Sequence, residues 1–143
     1  MSIFGSKAED TGAYTRISPD QMVTILGDMG FRPELAQTSQ GKPMIRFQIE
    51  GVRASIFFYG ADDGKAKSLQ FYAGFREKPA LEKVNAFNCK RRFAKAYLDK
   101  DGEVCLDMDL DVEGGVLRAG IEEVVRDWCG CLAGFLQEMR AAA

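Results

Sequence analysis

Three aspartates in one short stretch are the acidic side chains best placed to act together. Asp107, Asp109 and Asp111 alternate with apolar residues, which predicts a β-strand with the three carboxylates on one face, about 7 Å apart in succession. Such an acidic strip would suit a cation or a docking partner, but a solvated sheet face is the simpler interpretation. An EF-hand loop is excluded, because its sixth and twelfth positions need Gly and Glu and the chain has Val112 and Arg118 there.

The side chains needed for common enzyme chemistry are scarce. The chain has no histidine, which removes Ser-His-Asp triads, Cys-His dyads and histidine-based metal sites. The four cysteines lack C-x-x-C spacing, so we expect reduced, half-buried thiols rather than a zinc site; they are Cys89, Cys105, Cys129 and Cys131. Neither G-x-G-x-x-G nor Walker spacing occurs. We therefore expect no enzyme, no catalytic residues, no metal and no cofactor.

Charge and hydropathy limit the classes of partner. Nineteen Lys and Arg against 21 Asp and Glu give a net charge of −2, which argues against nucleic acid. The densest basic cluster, Lys90 to Arg92 with Lys95, is typical of a helix carboxyl end, although a phosphate or an acidic peptide is an alternative. No apolar run is long enough to span a membrane, and residues 1–16 do not resemble a secretory signal. These features favour a cytoplasmic protein.

The elements that position these residues begin after a polar, Gly-containing arm. Residues 1–16 are predicted to be disordered, and residues 17–143 to form one domain. A helix is predicted at 19–29, since Ser18 suits the N-cap, Gln21 completes a capping box and Gly30 suits the position after the last turn.

Two hairpins are predicted from alternating apolar residues. The first joins residues 45–49 and 52–58 through a two-residue turn, so that apolar residues face apolar residues. In the second, a three-residue loop with Gly102 places Lys95 opposite Asp107 and Tyr97 opposite Cys105. Two further strands are predicted, one at 34–38 from a weaker pattern and one at 69–75. The helix between the hairpins is predicted to start with Pro79 at its first position and to end near Arg92.

A long final helix follows Gly114-Gly115. Its apolar stripe has Trp128 at the centre, which predicts that this side chain is buried against the sheet. Gly130 and Gly134 lie opposite the stripe, where small residues would allow another helix or chain to approach. The order α-β(3–4)-α-β-β-α predicts an α+β fold with an antiparallel sheet, a meander plus a hairpin, and helices packed on it.

The sheet face away from the helices is predicted to be partly aromatic. Phe57, Tyr59 and Tyr72 all alternate out of phase with the core positions of their strands. Three aromatic rings in solvent form the kind of patch that marks an interface. We therefore expect a homodimer that uses this face or the side of the last helix that carries Gly130 and Gly134.

Three segments resemble the YbjN-domain family of bacterial proteins. They are residues 41–51 (GKPMIRFQIEG), residues 84–99 (VNAFNCKRRFAKAYLD) and the acidic strand with Gly114-Gly115 before the last helix. The resemblance extends from Ile17 to Met139, and the middle segment is its most specific part, although Phe87 stands where the family commonly has Trp. It implies a fold similar to type III secretion chaperones and a regulatory role in sensory transduction, and it supplies no catalytic residues.

Residues and resemblance together favour a non-enzymatic cytoplasmic interaction module. We expect it to be chaperone-like or regulatory and to bind a protein partner or a peptide segment, without nucleic acid or membrane. The alternative is a domain that senses a small molecule or a cation, in a pocket between helix and sheet or on the strip Asp107 to Asp111.

Overall fold

The computed structural model describes residues 12–141, which form eight strands and three helices. In chain order these are β1 (Ala13–Tyr14), α1 (Pro19–Asp28), β2 (Glu34–Gln37), β3 (Pro43–Ile49), β4 (Val52–Tyr59), β5 (Ser68–Gly74), α2 (Leu81–Lys90), β6 (Lys95–Leu98), β7 (Val104–Asp111), β8 (Val116–Leu117) and α3 (Arg118–Arg140). Six strands form one antiparallel sheet in the order β2-β3-β4-β5-β7-β6, while β1 pairs with β8. The predicted α+β class is confirmed.

Helix α1 begins where its sequence predicts and ends at Asp28, one residue before the predicted end. The Ser18 side chain accepts a hydrogen bond from the Gln21 backbone N–H, and the Gln21 side chain accepts one from the Ser18 backbone N–H. Pro19 occupies the first helical position. Gly30 has φ of +96°, a left-handed conformation that ends the helix at little steric cost.

The β3–β4 hairpin has the predicted register. Ile49 pairs with Val52 and Ile45 with Ile56, across a turn whose two residues have φ of 53° and 75°. Positive φ at both positions fits the right-handed twist of the flanking strands. The alternation therefore holds every core side chain of this hairpin on one face of the sheet.

The second hairpin joins the sheet through its second strand. β7 lies between β5 and β6, so β6 forms an edge although it precedes β7 in the chain. Lys95 pairs with Asp107 and Tyr97 with Cys105, which confirms the predicted register. This insertion places Asp107 of β7 opposite Tyr72 of β5.

All three helices pack on one face of the sheet, which we call the inner face. Residues of α1, α2 and α3 share one buried core with the inner-face residues of every long strand. Trp128, fully buried near the middle of α3, lies with its ring centre 5.9 Å from that of Phe71 on β5. The predicted burial of Trp128 is confirmed.

The start of α2 and the extent of the N-terminal arm differ from their predictions. Helix α2 begins at Leu81 with Ala80 as its N-cap, so Pro79 lies outside the helix rather than at its first position. Most of the predicted arm, residues 1–11, lies outside the described residues. Its last part is ordered, however, because Ala13 and Tyr14 pair with Leu117 and Val116. The distant strand β8 supplies this pairing, and local composition gives no sign of it.

Candidate functional site: the open face of the sheet

The face of the sheet opposite the inner face, which we call the outer or open face, is not covered by any helix within residues 12–141. Its central strands, β4 and β5, carry Phe57, Tyr59 and Tyr72, and the rings of Phe57 and Tyr72 lie 5.9 Å apart. Phe57 and Tyr72 are half-buried, whereas Tyr59 is 51% exposed. The face predicted to be partly aromatic therefore has its rings in one central group, accessible from solvent.

A buried carboxylate lies beside these rings. Asp107 is only 2% exposed although it faces outward, because side chains on the neighbouring strands enclose it. Its Oδ2 accepts a hydrogen bond of 3.1 Å from Gln70 Nε2, and Gln70 Oε1 accepts one of 3.0 Å from the Tyr59 hydroxyl. Its Oδ1 lies 3.7 Å from Lys95 Nζ. Asp107 therefore connects a polar row across four strands, from Tyr59 on β4 to Lys95 on β6.

Gly74 makes room for the ring of Tyr72. A Cβ at Gly74 would lie 2.7 Å from the Tyr72 hydroxyl, so only glycine leaves the ring free to lie along β5. In this position the Tyr72 hydroxyl is 3.2 Å from Cys105 Sγ. Burial raises the pKa of both Tyr72 and Tyr97 well above the ordinary value, so both hydroxyls remain neutral at physiological pH.

The predicted acidic strip is divided by burial. Asp107 belongs to the buried row, whereas Asp109 and Asp111 are exposed towards the far end of β7. A solvated strip of three equivalent carboxylates is therefore wrong, because Lys95 and Gln70 hold the first of them inside the face. As a cation site the strip has only its two outer members accessible.

Charged side chains occupy opposite corners of the outer face. Arg46 and Arg53 lie on β3 and β4 towards the turn at 50–51, and we call them the arginine corner. Asp109 and Asp111 lie on β7 towards the opposite end of the strands, and we call them the aspartate corner. The aromatic group lies between the two corners.

The second predicted surface, on α3, is only partly open. Gly130 is exposed, and a Cβ added there would meet no other atom within 4 Å. Gly134 is buried, because the Arg91 guanidinium lies 2.6 Å from where its Cβ would be. The prediction that both glycines present an approach surface is therefore wrong for Gly134, which Arg91 from the end of α2 already covers.

The edge strand β6 is closed by an asparagine. Asn88 Nδ2 donates to the Ala96 carbonyl at 2.9 Å, and Asn88 Oδ1 accepts from the Ala96 N–H at 2.9 Å. The amide thus takes the place of a neighbouring strand and blocks edge-to-edge pairing there.

Three of the four cysteines and a further acidic group offer little chemistry, whereas Cys89 is exposed. Burial raises the pKa of Cys105, Cys129 and Cys131, which disfavours the thiolates that act as nucleophiles and metal ligands. Carboxylates of Asp99, Asp101 and Glu103 lie within 4.8 Å of one another in the β6–β7 loop. Asp99 Oδ1 accepts from the N–H groups of the other two, so this group forms a turn.

A six-stranded antiparallel sheet with all three helices on one face defines an α+β domain whose other face is open. The profile of the YbjN family, described as "Putative bacterial sensory transduction regulator", matches residues 18–139, and the chain belongs to this family. Its fold is similar to the crystal structure of YbjN, "a putative transcription regulator from E. coli", with a TM-score of 0.55 and 19% identity over 78% of this chain and 86% of that chain. At this identity the likeness shows the fold alone. No curated protein matches the chain.

Proposed function

We propose that the chain is a non-enzymatic cytoplasmic regulator that acts through a protein contact on the open face of its sheet. The half-buried rings of Phe57 and Tyr72, with exposed Tyr59 beside them on a face that no described helix covers, carry the proposal. A sheet usually buries both faces or solvates one with polar residues, and this face does neither. The absence of histidine and the raised pKa of the buried thiols agree with a role without catalysis.

The occupant that fits this face best is a second copy of the same chain. The two copies face each other across a two-fold axis that lies in the plane of the contact. The axis runs diagonally across the sheet, past Phe57 and Tyr72. It places the arginine corner of one copy over the aspartate corner of the other. The strands of the two sheets then cross at a large angle, which is one of the two common packings of sheet on sheet. Because both copies use the same surface in such a contact, the pairing of arginine corner with aspartate corner occurs twice.

One further feature agrees with the proposed cytoplasmic location. All four cysteines are free thiols, as expected in a reducing compartment. Within residues 12–141, no helix combines the length and the apolar character that a membrane crossing needs.

Exchanging charges between the corners tests this contact. Arg53→Glu puts acid on acid, and Asp109→Lys puts base on base, so each single variant is expected to weaken self-association at least about tenfold. The double variant restores opposite charges across the contact and is expected to recover most of the affinity. Sedimentation equilibrium of the three variants and the parent chain measures the dissociation constants.

Gly130→Glu is the matched control, because it adds an exposed charge to α3 where a Cβ meets no neighbour. This variant should associate like the parent chain. Dissociation by Gly130→Glu with no effect of the corner exchanges would place the contact on α3. A double variant no stronger than the singles would show that the corners do not face each other. Association with a different protein in place of self-association would overturn the second copy as the occupant.

A further inference from the structure

An open cavity of about 480 Å³ lies where β2 begins, at the part of β3 that continues past the first residue of β2. It is lined by the segment after α1 and by residues of β3 and β4, among them three arginines, Arg32, Arg46 and Arg53. Its volume is within the range of cavities that bind small molecules. The three arginines come from one loop and two strands, so only the fold brings them together.

These arginines lack protein partners. Within residues 12–141, no ion pair or hydrogen bond is made by the guanidinium of Arg32, Arg46 or Arg53, whereas Arg16, Arg118 and others are paired. Among residues 12–141, Glu34 is the one acidic side chain that lines the cavity, so this lining carries three positive charges and one negative charge. The net charge of the lining is therefore +2, which a dianion would neutralise.

The cavity also has an aromatic wall. Phe31 and Phe47 pack edge to face with ring centres 5.4 Å apart, and both line the cavity. Phe47 is buried in the core and Phe31 is half-buried, so the position of Phe31 is supported from below. A ligand with an anionic group near the arginines would meet an apolar surface at its other end.

We propose that this cavity binds a small organic phosphate monoester. A phosphate monoester carries a charge of about −1.5 to −2 at pH 7, which matches the charge of the lining, whereas one carboxylate would supply half of it. Arginine forms paired hydrogen bonds to phosphate oxygens, and its planar group loses little freedom in doing so. The organic part lies against Phe31. This site goes beyond the proposed contact on the open face and does not rest on it. It shares Arg46 and Arg53 with the arginine corner, so a bound phosphate and the aspartates of a second copy compete for these two guanidinium groups.

Isothermal titration calorimetry of the full chain with phenyl phosphate tests the site. One saturable site per chain is expected, with weaker binding of phenyl sulfate, which is a monoanion, and of succinate, which is a dicarboxylate. Affinity should fall as the pH drops below about 6, because the phosphate then loses its second charge. A dicarboxylate that binds as tightly as phenyl phosphate, or affinity unchanged below that pH, would overturn the assignment to phosphate.

Arg32→Gln and Arg46→Gln are each expected to weaken binding about tenfold or more. Arg92→Gln is the control, because it removes the same charge in the segment before β6, at the other edge of the sheet. Equal loss in all three variants would indicate general charge attraction, and absence of saturable heat in the parent chain would overturn the site. An acidic peptide that binds where phenyl phosphate does not would also overturn it. Because Arg46 and Arg53 are shared with the arginine corner, the titration uses a protein concentration at which light scattering gives the mass of one chain. A protein that stays monomeric at every concentration therefore leaves this result interpretable.

Discussion

Replacing Trp128 by alanine is expected to lower the free energy of unfolding by about 3–5 kcal/mol. The side chain is fully buried in the middle of α3 and packs on Phe71 of the central strand β5. Its removal leaves a cavity where helix and sheet meet, and the rigid neighbours can close only part of it. Chemical denaturation of the parent chain and the variant measures the difference.

Leu81→Ala is the matched control, since Leu81 is 64% exposed at the start of α2. We expect this substitution to change stability by about 0.5 kcal/mol or less. Trp128 is the only tryptophan in the chain, so its fluorescence reports its surroundings directly. An emission maximum typical of a solvated indole in the folded protein would contradict the packing of α3 on the sheet.

Asn88→Ala is expected to lower the free energy of unfolding by about 1–3 kcal/mol, because it removes two hydrogen bonds that contribute about 0.5–1.5 kcal/mol each. The amide makes two bonds of 2.9 Å to the backbone of Ala96, which lies in the edge strand β6. Without them, the backbone of Ala96 is open to a strand from another molecule, and aggregation should increase. Thermal unfolding and turbidity measure the two effects.

Asn85→Ala controls for a change of the same residue type on the same helix. Asn85 is exposed and forms no hydrogen bond through its side chain within the described part of the chain. Its replacement should leave stability nearly unchanged. Equal loss in the two variants would show that helix propensity, rather than closure of the β6 edge, is responsible.

Local patterns predicted the hairpins and the first helix because their signals lie within a few residues. In the hairpin of β3 and β4, alternation and turn length admit one register that matches apolar faces, and that register is present. The capping box of Ser18 and Gln21 likewise depends only on neighbours in the chain. The start of α2 was wrong by two residues, since proline is also common in the extended segment before a helix.

The candidate sites were harder to predict, because they depend on contacts between segments that are distant in the sequence. Asp107 reads as a solvated strand residue, and it is buried because Tyr72 on β5 and Lys95 on β6 flank it. Gly134 reads as an exposed helix position, but Arg91 from another element covers it. The cavity arginines are Arg32, Arg46 and Arg53, and no spacing in the sequence connects them. Burial and convergence of this kind follow from the order of strands, which alternation does not determine.

The molar mass of the parent chain in solution tests the central claim most directly, since that claim is that the open face is covered by a second copy. The face has an aromatic centre and opposite charges at its two corners, and each chain has a mass of 15.8 kDa. Light scattering at micromolar concentration is expected to give twice this mass, falling towards the mass of one chain on dilution. A mass of one chain that remains unchanged as the concentration rises would contradict the account.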